Sequence, residues 1–310
     1  MFMKQLTANN LMGIWSLVPT PWDDHGDLDI QVLRHDVAYL LGSGVDGLYT
    51  TASSGEFFAL DDAEFRLLVE AVLDEAGKVD VPVQICCAAT DTRGFLHRAE
   101  LAVSLGASAI QVILPYYIQL ELEEAFTFFE DVARVCGNVP LVHYNTGHAK
   151  RTFEVADYLA LQDRVPTLIG TKLPRDEPLW FTEICRCVSQ MSHFCAEYAF
   201  VANFVGGARG MYSWLAVTNP RLALVWYYTC RNGDFTEAIR IQKLVNRFKL
   251  EVKTTWRGQS DAAVNKTDAM LNPNMRCGLG VRAPYLSNSQ DELDSARNWA
   301  EQHFPELLIL

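Results

Sequence analysis

The sequence predicts an α/β fold: a parallel (β/α)8 barrel carrying a C-terminal helical appendage. Three observations lead there. Short β-rich runs alternate with amphipathic helical stretches through the first two thirds of the chain. Most runs begin about 25–35 residues apart, the size of one βα unit. Eight such units fit a closed barrel better than a doubly wound sheet, which usually shows six or fewer.

In order along the chain, Gly13–Val18 reads as the first strand and Ile30–Leu41 as its helix. Gly47–Thr51 and Asp61–Ala76 follow, then Val81–Cys86 and Leu96–Leu105, then Ala109–Leu114 and Glu121–Val135. Pro140–Tyr144 pairs with the helix Glu154–Leu161, and Thr167–Thr171 with Trp180–Ser189. His193–Ala196 precedes a short helix at Phe200–Val205, and Gly210–Ser213 is the eighth strand. Several junctions repeat one device, a glycine-rich helix end feeding a strand, as in Leu41-Gly-Ser-Gly-Val-Asp-Gly47. After Pro220 the β signal fades. Leu222–Arg231, Phe235–Arg257 and Leu293–Gln302 read as helices, with a Gly/Pro-punctuated link at Asn272–Pro284. The expected division is a barrel over 1–220 and a helical extension packed on it over 221–310.

Composition narrows the function. The chain has 310 residues, 49% hydrophobic and 21% charged, with a net charge of −12. That charge argues against a nucleic-acid partner, and an anionic substrate must be caught by a local site. No stretch approaches a membrane span and the first residues lack a signal-peptide core, so a cytoplasmic protein is expected. The eight cysteines form no Cys-x-x-Cys pair and read as free thiols in a reducing compartment. His143, His148 and His193 have no ligand spacing, so no metal is expected.

Residues at the C-terminal ends of barrel strands point into the active site. Lys172 ends the sixth run, Thr167-Leu-Ile-Gly-Thr-Lys172. A lysine buried there has its pKa pushed down, which makes the amine a nucleophile able to form a Schiff base with a carbonyl. Ser53-Ser54-Gly55 after the second run offers hydroxyl and N–H donors to a carboxylate. Tyr144 ends the fifth run as a candidate acid/base. Glu197-Tyr198 and Ser213-Trp214 follow the seventh and eighth. The loop after the eighth run lacks a glycine-rich nest for phosphate.

In these positions the chain resembles the dihydrodipicolinate synthase / N-acetylneuraminate lyase family of class I aldolases. The similarity rests on Gly44-Val-Asp-Gly-Leu-Tyr-Thr-Thr-Ala-Ser-Ser-Gly-Glu56, Pro115-Tyr116-Tyr117, Tyr144-Asn145, Gly170-Thr-Lys172, Gly207-Ala-Arg-Gly210 and Val281-Arg-Ala-Pro284, in the family's order. The resemblance implies that Lys172 forms an imine with pyruvate or another 2-oxo acid, without a further cofactor. It implies that Tyr144 shuttles protons and that Ser53 and Ser54 bind the carboxylate, Thr50-Thr51 lying too early. Tyr117 matches a tyrosine that in some members crosses a subunit interface to complete a proton relay, so a homotetramer or homodimer is implied.

Departures from the family pattern shape the substrate expectation. Arg151 falls two positions late for the arginine of the lysine-biosynthetic enzymes, and His148 and Lys150 lie between it and Tyr144. Glu197 matches the carboxylate with which sialate lyases bind sugar hydroxyls, and Ser213 stands beside it in the substrate-binding set. The expected activity is a Schiff-base lyase, aldolase or dehydratase, acting on a hydroxylated 2-oxo acid. A 2-keto-3-deoxy sugar acid held by Glu197 and an aromatic aldehyde portion stacked on Trp214 both fit. Dihydrodipicolinate synthesis from pyruvate and aspartate semialdehyde, and a non-catalytic keto-acid binder, stand as alternatives.

Overall fold

The structure, a computed structural model, describes residues 5–175 and 177–310. Eight parallel strands close on themselves in sequential order, each pairing with the next and β1 with β8. They are β1 (Gly13–Leu17), β2 (Gly47–Thr50), β3 (Val83–Cys86), β4 (Ala109–Val112), β5 (Leu141–Tyr144), β6 (Leu168–Leu173), β7 (Ser192–Cys195) and β8 (Gly210–Ser213). All but β6 are buried along their whole length, as expected where helices cover a parallel sheet. At the β1–β2 seam the Trp15 ring lies where a side chain at position 47 would begin. A Cβ on Gly47 would sit 2.6 Å from it.

The outer ring comprises α1 (Ile30–Gly42), α2 (Asp62–Ala76), α3 (Thr92–Ser104), α4 (Leu122–Cys136), α5 (Val155–Gln162), α6 (Pro178–Cys187) and α7 (Phe200–Val205). Side-chain caps fix the starts of α1 to α5. Asp61 and Glu64 form a capping box on α2. Asp91 accepts from Gly94 N, which starts α3 four residues ahead of the expected Leu96. Strand β6 runs two residues past the expected end because Lys172 and Leu173 continue the ladder to Phe194 and Cys195.

Beyond β8 lie α8 (Leu215–Thr218), α9 (Pro220–Arg231), α10 (Phe235–Glu251), α11 (Asp261–Met270) and α12 (Gln290–His303). The helix expected over 235–257 stops at Glu251. A tight turn at Lys253–Thr255 follows, and the Lys253 amine reaches the buried Asp268 carboxylate on α11 at 2.5 Å. Helix α11 is tied to the barrel by Lys266, which ion-pairs with Glu56 at 2.6 Å with both side chains fully buried. Trp22 Nε1 and Arg282 N also donate to Glu56, at 3.0 Å each. Among the described residues no helix is long and apolar enough to cross a membrane.

Candidate active site

The strand register brings Tyr144 on β5 beside Lys172 on β6. The Lys172 Nζ rests on aromatic faces, 4.0 Å from the Tyr144 ring centroid, 4.3 Å from Tyr49 and 5.3 Å from Tyr212. No carboxylate ion-pairs with it among the described residues. Ring faces attract a cation, yet replace its lost water only in part. Burial therefore pushes the Lys172 amine down to about 8, against smaller opposing effects of Asp261, Cys86 and Glu197. At pH 7 about a tenth of the amine is neutral and nucleophilic.

Burial, reinforced by the charge of Asp261, raises the Tyr144 phenol well above its ordinary value, although hydrogen bonds with Ser53 and Thr146 oppose the rise. The phenol is thus protonated at neutral pH and held between two hydroxyls. Ser53 is placed by an unusual backbone. Thr51 adopts φ 55°, a left-handed conformation rare for a β-branched residue, and its hydroxyl donates to Cys86 O at 2.8 Å. The following turn carries Ser53 and Ser54 over the barrel mouth. The Thr50 hydroxyl instead faces Val18 O at 3.3 Å.

A cavity of about 380 Å³ opens above these groups. Its polar wall is Ser53, Thr146, His148, Gln259, Ser260 and Asp261; its other wall is Phe57, Phe58, Ile113, Tyr116 and Tyr285. Asp261 begins α11, whose N-cap is Ser260. Its carboxylate lies 3.4 Å from His148 Nε2 and hydrogen-bonds Ser53. Burial raises the Asp261 pKa, but the bonds to His148 and Ser53 and the charges of His148 and Lys172 outweigh it, leaving a net lowering. The bond to Asp261 raises the His148 imidazole, because the contact favours its protonated form. Asn265, one turn further along α11, donates to Ser54 Oγ at 2.8 Å.

The remaining site candidates do not line this cavity. Arg151 turns away, donating to Leu120 O and approaching Glu121 at 3.5 Å. The turn Gly147–Ala149 ahead of it presents His148 to the cavity instead. Glu197 is buried, and its Oε1 accepts from Trp214 N at 2.5 Å, occupied by the start of α8 and not aimed at the cavity. Ser213 bonds Glu197 and receives Ala216 N at 3.1 Å. Trp214 stacks on Phe248 beneath the Lys253 amine, outside the cavity. Tyr117 is 72% exposed, its ring facing Lys150 and not Lys172. His143 and His193 are core residues bonded to Tyr158 and Thr171. All eight cysteines are free.

Asp261 and Asn265 were not singled out from the sequence. The signal available was Ser260 ahead of Asp-Ala-Ala, an N-cap before good helix formers. It was masked because the buried face of α11 carries Lys266, Thr267 and Asp268, so no apolar period marks the helix.

The model of the dihydrodipicolinate synthetase family matches residues 10–303. The N-acetylneuraminate lyase of Salmonella paratyphi B is 25% identical over 255 residues, 80% of this chain and 84% of that one. That of Citrobacter koseri is 29% identical over 171 residues, where the match spans 55% of this chain and half of the relative's length. A catalytic lysine mutant of the Ruminococcus gnavus sialic acid aldolase superposes with a TM-score of 0.87 at 20% identity, covering 97% of this chain and 99% of that one. YagE of E. coli K12, a prophage protein of the dihydrodipicolinic acid synthase family in complex with pyruvate, gives 0.85 at 22% identity over 94% and 98%. At these identities the two structures establish a common fold.

Proposed function

The chain belongs to the dihydrodipicolinate synthetase family, and from that membership we propose a Schiff-base lyase that joins or releases pyruvate at Lys172. The observation that carries this reading is the Lys172 amine, lowered to about 8 and resting on the ring of Tyr144 at the mouth of a (β/α)8 barrel. Pyruvate in the YagE complex and the lysine variant of the sialic acid aldolase support it by analogy.

The amine attacks the C2 carbonyl of the 2-oxo acid, and loss of water leaves a protonated imine. In the cleavage direction Tyr144 takes the proton of the C4 hydroxyl while its own phenol proton passes through the Ser53 hydroxyl to the Asp261 carboxylate. The C3–C4 bond breaks, its electron pair enters the iminium to give a neutral enamine, and an aldehyde departs. C3 then takes a proton and water releases pyruvate. The imine is the electron sink, so the proposal calls on no separate cofactor. Ser54 and the N–H groups of its turn hold the carboxylate. With Arg151 engaged at Leu120 and Glu121, the aspartate-semialdehyde alternative lacks support.

Tyr117 enters the proposal only through a second copy of the chain. In one chain its ring and Ile118 are exposed side by side, a surface suited to an interface in a homodimer or homotetramer. Eight free cysteines, mostly buried, fit a reducing cytoplasm.

The test is peptide mass spectrometry after incubation with pyruvate and borohydride. The expected result is one pyruvyl adduct on Lys172, absent from Lys172→Ala. An adduct at another lysine, or none with any 2-oxo acid, overturns the proposal.

A further inference from the structure

We infer that the aldehyde half of the substrate is a flat aromatic ring, so that the enzyme cleaves or forms a 4-aryl-4-hydroxy-2-oxobutanoate, with pyruvate and an aryl aldehyde as the other side of the equilibrium. The inference rests on the imine chemistry proposed above and names the substrate class of the same site.

Its basis is a connected cluster of aromatic rings among the residues that line the cavity. Four rings come together from three separate parts of the chain: Phe57 and Phe58 from the loop after β2, Tyr116 from the loop after β4, and Tyr285 from the C-terminal segment. Phe57 meets Tyr116 edge-on at 5.5 Å, and Phe58 meets Tyr285 at 4.8 Å. Phe57 and Phe58 join the two pairs at 5.4 Å. Phe58 and Tyr285 line this cavity and remain 37% and 44% exposed, so apolar face is left open there. A ring laid against such faces gains both area burial and edge-to-face contact.

The polar lining residues are largely engaged with one another or with backbone, and so have little to offer a chain of sugar hydroxyls. Both amide protons of Gln259 go to the carbonyls of Lys253 and Trp256. Ser260 Oγ caps Ala263 N, Thr146 and Ser53 hold Tyr144, and His148 and Asp261 engage each other at 3.4 Å. Glu197, the carboxylate that would take hydroxyls, is committed to the backbone of α8. A hydroxylated chain would therefore lose water without regaining its hydrogen bonds. A cavity of about 380 Å³ is near the small end of ligand pockets, roughly 300–1,000 Å³, and has room for a three-carbon keto acid plus one aromatic ring.

The experiment measures kcat/KM for condensation of pyruvate with benzaldehyde and with D-glyceraldehyde on the full chain, next to borohydride trapping of pyruvate alone. A preference of about tenfold or more for benzaldehyde is expected. Tyr285→Ala and Phe58→Ala, which shorten two exposed rings, are each expected to lower the benzaldehyde value several-fold and the glyceraldehyde value less. A pyruvyl adduct on Lys172 with equal or reversed preference overturns the inference and leaves the imine chemistry standing. Absence of the adduct overturns both.

Discussion

The Nζ of Lys172 and the ring of Tyr144, register partners on neighbouring strands, are stacked 4.0 Å apart, amine on aromatic face. The phenol oxygen at the far end of that ring meets Ser53 and Thr146 at the cavity wall. The proposed nucleophile and the proposed acid/base are thus held by one contact while presenting different ends to the barrel mouth. The ring covers one side of the amine.

Imine formation needs the neutral amine, so its rate should climb with pH and level off above about 8. Initial rates of pyruvate trapping between pH 6 and 10 test this. A midpoint above 10 would put the amine in a water-like environment and remove the argument from burial.

Replacing Tyr144 by Phe keeps the ring under Lys172 and deletes only the hydroxyl. Adduct formation should persist while turnover drops by ~10²–10⁴, the usual worth of a positioned acid/base. Equal loss in both assays would show that the hydroxyl shapes the site instead of moving protons.

Burial lowers the Lys172 pKa and the Asp261 charge opposes it; the same carboxylate raises the His148 imidazole. Asp261→Asn should therefore move the rising limb of the pH profile to lower pH and return His148 toward its ordinary value. Proton NMR of the imidazole and the trapping assay read the two shifts independently. An unmoved His148 would mean that the 3.4 Å pair does not form in solution.

Lys172 also bears on stability. Its folded pKa of about 8 lies below the unfolded value of 10.5, so between those limits the unfolded chain binds more protons and stability rises with pH. Below about 8 the full cost of burying the charge is present. Lys172→Met should raise stability at pH 7 by on the order of 2 kcal/mol, an allowance being made for partial access of water, with the gain gone above about pH 10.5. Urea unfolding at pH 7 and pH 10.5 checks the sign.

Glu56→Gln leaves Lys266 a buried cation without its counter-charge. A loss of roughly 3–5 kcal/mol is expected, the cost of breaking a buried pair on one side. Thermal unfolding that shifts by no more than a degree or two would mean that water reaches Lys266.

The strands were legible because each is a short apolar run with turn residues on both sides, and Gly210–Ser213 has the same limits in sequence and structure. Lys172 and Tyr144 were legible because a polar side chain at a barrel strand end has one place to go. The cavity walls were not. Phe57, Phe58, Tyr116 and Tyr285 look like ordinary core aromatics in sequence, and only the packing of three distant segments turns them toward one space. The surroundings of Glu197 were hidden for a related reason: a short helix after β8 begins beside it and claims its oxygen, which the spacing of residues does not reveal.

The ties from α11 back to the loop after β2 bridge positions more than two hundred apart, Asn265 to Ser54 and Lys266 to Glu56. On the ribosome this imposes an order of events. A nascent chain that has emerged as far as Ser213 holds all eight strands and the reactive lysine, yet Glu56 is an anion with its strongest partner still unsynthesised and the cavity lacks Asp261 and Tyr285. The barrel can be threaded before the site exists, and the amine gains a finished chamber only after the last third of the polypeptide has docked.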